Sequence, residues 1–180
     1  MQRRLLNGAI VGLTLVVLIS GCGQAKQAPN ALEGQKSSSP TTQTSTSGSE
    51  TKQTKIKVYF GDENGERLVE QESTISYKQD NEKYASALKA LTTSSDSKRI
   101  ALLKGFTFNT VSLKDQTLTV DLSMAPESRL GAGGEDLVLQ ALKKTVFQFS
   151  EIQSLNILLD GKAVDSLMGH MELPHPIKRG

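Results

Sequence analysis

The chain has 180 residues, 37% of them hydrophobic and 22% charged, with one cysteine, no tryptophan and a formal net charge of +2. Setting aside the N-terminal segment that carries Arg3 and Arg4 leaves 19 basic residues against 19 acidic ones. That balance argues against a nucleic-acid partner, which needs a concentrated basic face. The lone cysteine excludes a disulfide framework, and three Tyr with five Phe speak against an aromatic platform for stacking sugars or bases.

The N-terminus reads "MQRRLLNGAIVGLTLVVLISGCGQ". Arg3 and Arg4 precede an apolar run from Ala9 to Ile19, broken only by Gly12 and Thr14. That run is short for a ~30 Å hydrocarbon core, which takes about 20 residues, but it suits the apolar region of a secretory signal. Ile19, Ser20, Gly21 and Cys22 then place a branched aliphatic and two small residues before a cysteine, a pattern that resembles the lipobox of bacterial lipoproteins. The resemblance implies cleavage after Gly21 and a thioether-linked diacylglycerol on Cys22, so that the membrane is the first expected partner. Two or three acyl chains, at ~0.8 kcal/mol per buried methylene, hold a protein on a bilayer where one chain holds it marginally. Residues 1–21 are therefore read as a lipoprotein signal peptide and Cys22 as an anchor, which removes it from consideration as a nucleophile or metal ligand.

From Gly23 to Thr54 the chain is rich in Ser, Thr, Gln, Gly and Pro and has no aromatic residue. Such a segment buries too little apolar surface to offset its ordering entropy. Residues 22–54 are expected to form a lipidated, disordered tether, and a coil of that length spans on the order of 30 Å. Residues 55–180 are the size of one domain with its own core.

In that domain Ile56, Val58 and Phe60 alternate with polar positions, as in a half-buried strand. Asn64-Gly65 predicts a hairpin turn, followed by a strand to about Tyr77. Asp80 or Asn81 is a candidate cap for a helix whose apolar face carries Tyr84, Ala87, Leu88 and Leu91. "FTFNTVSLKDQTLTVDLS" reads as a second hairpin, with a phase slip near Asn109 that predicts a bulge. A glycine-rich lead-in then opens a helix with Val138, Ala141, Leu142, Thr145, Val146 and Phe149 on one face. "LNILLDGK" and "LMGHMELPHPI" supply a strand, a tight turn and a short extended piece. The order ββαββαβ, with a final short β, predicts an α+β fold, a small mixed β-sheet with two amphipathic helices packed on one face.

No motif selects a reaction. The acids of "DENGE" lack the ligand spacing of a calcium loop. "GAGGED" precedes a helix, but Glu135 and Asp136 in its first turn complement the helix dipole and repel a phosphate. His170, Glu172 and His175 offer too few ligands for a closed zinc site without cysteine. There is no GxSxG serine elbow, and no spacing singles out a carboxylate pair. The domain reads as non-enzymatic, with no catalytic, cofactor or metal residues to assign.

Several stretches together resemble the GerMN domain of sporulation and germination proteins and related bacterial surface lipoproteins. They are "VYFGDENGERLV", "LTVDLS", "ALKKTVFQF", "SLNILLDGK" and "GHMEL", in that order across Lys55–Ile177. Asp160-Gly161 and Gly169-His170 match turn features of that family. The resemblance implies a compact domain akin to ring-building modules, which self-associate or dock onto envelope proteins, and it implies no catalytic residues. This chain carries one such domain where family members often have two, and "LLKGF" lacks the family's usual Pro-x-Gly turn. The expected function is a lipid-anchored, extracytoplasmic, non-catalytic docking or assembly module at the cell envelope, in sporulation or germination. The alternative is a surface-tethered binder of small ligands or cell-wall glycan, and an envelope hydrolase ranks third.

Overall fold

A computed structural model describes residues 50–180 of the chain. The signal segment, Cys22 and the tether up to Ser49 lie outside the described residues. Strand β1 (Lys52–Gly61) begins inside the stretch read as tether and pairs antiparallel with β2 (Leu68–Tyr77) along its whole length. Helix α1 (Glu82–Lys89) leads to a second hairpin, β3 (Phe106–Lys114) and β4 (Thr117–Met124). A short 3-10 turn at Pro126–Ser128 precedes α2 (Ala132–Phe147), and β5 (Ser154–Leu159) and β6 (Ile177–Lys178) complete the chain.

The α+β class and the element order are those expected from the sequence, but the strands divide between two sheets. β1 and β2 form a two-stranded ribbon, while the larger sheet has the order β3-β4-β5-β6. β5 runs parallel to β4, as a strand returning through a helical crossover can. The register slips between Phe108 and Thr110, where the phase change near Asn109 predicts it. The β3–β4 turn places both Asp115 and Gln116 at positive φ, 47° and 62°, matching the right-handed twist of the strands it joins.

The first turn is wider than Asn64-Gly65 alone suggests. Asp62 N–H donates to the Arg67 carbonyl at 2.9 Å, and Gly65, at φ +69°, donates to the Asp62 carbonyl at 3.0 Å. The Asp62 carboxylate organises this loop by accepting Glu66 N–H at 2.9 Å. The cap of α1 also differs from expectation. Asn81 makes no side-chain capping bond, and Asp80 pairs instead with Lys52 at 2.7 Å. Glu82 takes over, its carboxylate accepting the N–H groups of Lys78 and Gln79 at 2.9 and 3.1 Å.

Tyr84, Ala87 and Leu88 form one buried face of α1, as their spacing predicts, and Leu91, in the turn just past the helix end, is buried with them. α2 does not stop at one face. Leu137 and Leu139 are buried beside Val138, Ala141, Leu142, Thr145 and Val146, because the helix is enclosed on more than one side, with β1 and α1 among its neighbours. Both sheets and both helices contribute to one core that includes Val58, Leu88, Leu118, Leu142 and Ile157. Each such side chain contributes roughly 1.5–3 kcal/mol by leaving water.

The end of α2 also shields an exposed strand. The Gln148 side chain accepts Lys57 N–H and donates to the Lys57 carbonyl, both at 2.8 Å, copying on β1 the pair of bonds a neighbouring strand would make. The segment before β3 depends on Gly105 at φ +80°, where an added Cβ would meet the Ser128 hydroxyl at 2.1 Å. The hydroxyl can rotate away but the dihedral cannot relax, so Gly105→Ala is expected to cost about 1–2 kcal/mol in urea unfolding.

Candidate functional site

The residues that the sequence flags for chemistry serve the framework. Asp62 is held below the usual carboxylate range, first by Glu66 N–H and then by Arg67, and so closes a loop. The two ring nitrogens of His175 are both engaged. Nε2 donates to the Val164 carbonyl at 2.8 Å, and Nδ1 meets the Asn156 side-chain amide at 3.1 Å. His170 exposes its ring and uses its backbone N–H instead. Among the described residues, no group of three or more His, Cys, Asp or Glu side chains is placed to hold a metal ion.

Glu135 differs most from expectation. Its carboxylate is fully buried and latches the loop between β5 and β6. Oε1 accepts from Ser166 Oγ at 2.7 Å and Met168 N–H at 2.9 Å, and Oε2 accepts from His170 N–H at 2.9 Å. Burial works against its ionisation, but these donors and Met171 N–H outweigh it and hold the pKa below its ordinary value. A second carboxylate, Glu151, receives the Tyr84 hydroxyl at 2.8 Å and Lys83 Nζ at 2.6 Å. Burial opposes its charge too, yet Lys83, its own backbone N–H and Tyr84 bring its pKa down to about 2. Because its folded pKa is depressed, its contribution is present above about pH 4.5 and is lost as pH falls toward 2. With the side chain 39% exposed, screening limits that contribution to about 1 kcal/mol or less. Glu151→Gln is therefore expected to flatten the acid limb of the stability profile only slightly.

One surface feature with room for a partner is a groove of about 660 Å³ between the start of β3 and α1. Phe106, Thr107 and Phe108 form one wall, Ser86 and Lys89 of α1 the other, and Tyr77 and Lys78 close one end. β3 is the outermost strand of its sheet and pairs only with β4, so its other edge borders this groove without a strand upon it. Sequence reasoning missed the site because no single residue announces it. Phe106 and Phe108 read as ordinary strand residues, and which edge stays open is decided by strand order. Among the described residues, no helix is long and apolar enough to cross a membrane.

The fold has solved counterparts. The first GerMN domain of the sporulation protein GerM from Bacillus subtilis aligns with TM-score 0.56 at 23% identity, covering 70% of this chain and 98% of that one. The tandem GerMN domains of the same protein align with TM-score 0.49 at 17% identity, covering 72% of this chain and 45% of that one. A Clostridium perfringens chain described as a candidate lipoprotein aligns with TM-score 0.49 at 23% identity, covering 71% and 88%. No curated protein matches the sequence. The single GerMN domain shares the fold, and the tandem structure is more than twice as long as the portion this chain covers. At the level of sequence, the family model described as "Germane: Sporulation and spore germination" matches residues 57–165, from within β1 to beyond the Asp160-Gly161 turn, and this chain belongs to that family.

Proposed function

We propose that this protein is a lipid-anchored, extracytoplasmic Germane domain that acts without catalysis as a docking or assembly module at the envelope of a sporulating cell. The observation that carries the docking role is the unpaired β3 edge bordering an open groove, since an exposed strand edge is a ready template for another chain. The family's description supports the sporulation setting, and the lipobox-like sequence ending at Cys22 supports the anchor. The test is the intact mass and membrane partitioning of the native protein beside Cys22→Ser. Native protein is expected as an acylated chain starting at Cys22 in the membrane fraction, and the variant unprocessed or released. An unmodified thiol on a soluble protein would remove the anchor, and deletion that left every envelope assembly unchanged would remove the docking role.

A second reading, a glycan or small-ligand binder, draws on the outer face of the larger sheet. Register sets Ser112, Thr119 and Asn156 abreast there, a row of hydroxyl and amide groups whose Asn156 end is already engaged by His175. Saturable thermal stabilisation by muropeptides would favour this reading over docking.

A further inference from the structure

We propose that the groove between β3 and α1 takes an extended polypeptide segment rich in carboxylates, which adds to Phe106–Phe108 as a further strand. The inference rests on the docking reading and names the chemistry of its partner. Three features carry it.

The first is the backbone. β3 has no strand on its groove side. The Phe106 N–H is taken by the Leu103 carbonyl at 3.1 Å, and an incoming extended chain can satisfy the remaining N–H and C=O groups that β4 leaves unused. The register shift after Phe108 ends the regular edge, because a bulge bends and twists the strand away. The docking edge is therefore short and discrete, unlike an open edge that would invite unlimited pairing.

The second is the wall opposite. α1 stands across the groove from β3, with Ala85 and Ser86 partly exposed to it, so an added strand would be sandwiched between helix and sheet edge. The half-buried Phe108 supplies apolar contact for alternate side chains of the guest.

The third is charge, which selects the guest. The charged groups lining the groove are Lys78, Glu82 and Lys89. Glu82 is engaged by the backbone N–H groups of Lys78 and Gln79. Among the described residues neither Lys78 nor Lys89 belongs to an ion pair, although six such pairs form elsewhere on the domain. Glu82 keeps its negative charge close to Lys78 and offsets part of it. The two exposed ammonium groups therefore leave the strand-accepting groove with a modest positive excess, centred on Lys89, that complements a guest with carboxylates and discriminates against a basic one.

The test uses the purified full-length protein in detergent with a short, end-capped peptide alternating glutamate and valine. Fluorescence anisotropy measures binding, and backbone amide resonances locate it. Saturable binding is expected, with shifts at Thr107, Phe108, Ser86 and Lys89. The glutamine–valine analogue, and the glutamate peptide on Lys78→Glu/Lys89→Glu protein, are each expected to bind about tenfold more weakly, the loss of two exposed charge contacts. A glutamate peptide N-methylated at alternate amides is expected not to bind, because it cannot extend the ladder. Equal binding of the neutral or N-methylated peptide, or shifts confined to another surface, would overturn the proposal. So would shifts of the same amides with protein concentration alone and no competition by peptide, which would mean a second copy fills the groove. A photocrosslinker at Thr107 in cells separates this inference from the docking reading. Adducts to envelope proteins without peptide binding would sink the acidic-strand proposal and leave docking standing. Peptide binding without adducts would uphold the groove's chemistry and sink docking in the cell.

Discussion

Glu135→Ala is expected to lower the unfolding free energy by about 3–5 kcal/mol, a large share of the 5–15 kcal/mol typical of a domain. The side chain is fully buried and its carboxylate holds Ser166 Oγ and the N–H groups of Met168 and His170 within 2.9 Å. Alanine leaves those donors without their acceptor and opens a cavity at the start of α2. A hydrogen bond to a charged group contributes about 1.5–3 kcal/mol, and a buried donor left unpaired costs its desolvation. Glu135→Gln keeps the volume but turns an amide N–H₂ toward one donor, so about half that loss is expected. Asp136→Asn is the control, since its half-buried carboxylate only accepts from Gln140 one turn along, a bond the asparagine carbonyl can keep, and it should change stability by less than about 1 kcal/mol. Urea unfolding measures all three, and amide exchange at Met168 and His170 shows whether the loop opens first.

The pH dependence of this latch has a definite sign. Glu135 has a folded-state pKa below its ordinary 4.5, so the unfolded chain binds the proton more readily. Its stabilisation is complete above about pH 4.5 and is lost as pH falls through the depressed folded value. Wild-type stability should therefore fall on the acid side, and Glu135→Gln should remove a distinct part of that fall. An unchanged acid limb would mean that the carboxylate is not the group holding the loop.

Arg179→Ala is expected to be the second most damaging change, at about 2–4 kcal/mol. The guanidinium donates to the Phe147 carbonyl, to the Phe149 carbonyl at 2.6 Å and, through Nε at 2.8 Å and again through Nη2, to the Ile152 carbonyl. The Phe147 carbonyl lies at the end of α2, where a helix has no partners of its own and a cation offsets the dipole, and the Phe149 and Ile152 carbonyls lie in the turn that follows. The cation also stands 5.1 Å from the centroid of the Phe147 ring. Arg179→Lys should recover less than half of the loss, because one ammonium cannot serve three separated carbonyls with a planar fork. Thermal unfolding of the three proteins checks this ranking, and a lysine variant as stable as wild type would reduce the interaction to simple charge.

Local pattern made much of the fold legible. The i, i+3, i+4, i+7 spacing of Tyr84, Ala87, Leu88 and Leu91 can bury its apolar side only as a helix, and they are buried together. The alternation of Leu118, Val120 and Leu122, and the slip near Asn109, are likewise properties of neighbouring residues and survive in β4 and the bulge. Capping was less legible, because Asp80, Asn81 and Glu82 compete for the same few groups. A cross-strand lysine, distant in sequence, takes Asp80 out of the contest.

What the chain's own order of residues settled was therefore the kind and succession of elements and the α+β class, since helix and strand periodicities are local and follow from backbone geometry. Tertiary structure alone decided the division into two sheets, the enclosure of α2 on more than one side and the inward turn of Glu135 toward a loop more than thirty residues away. It also left the β3 edge open beside α1. Each of these is a pairing between segments far apart in sequence, and the free energy that selects it lies in burial and hydrogen bonds that no local window contains.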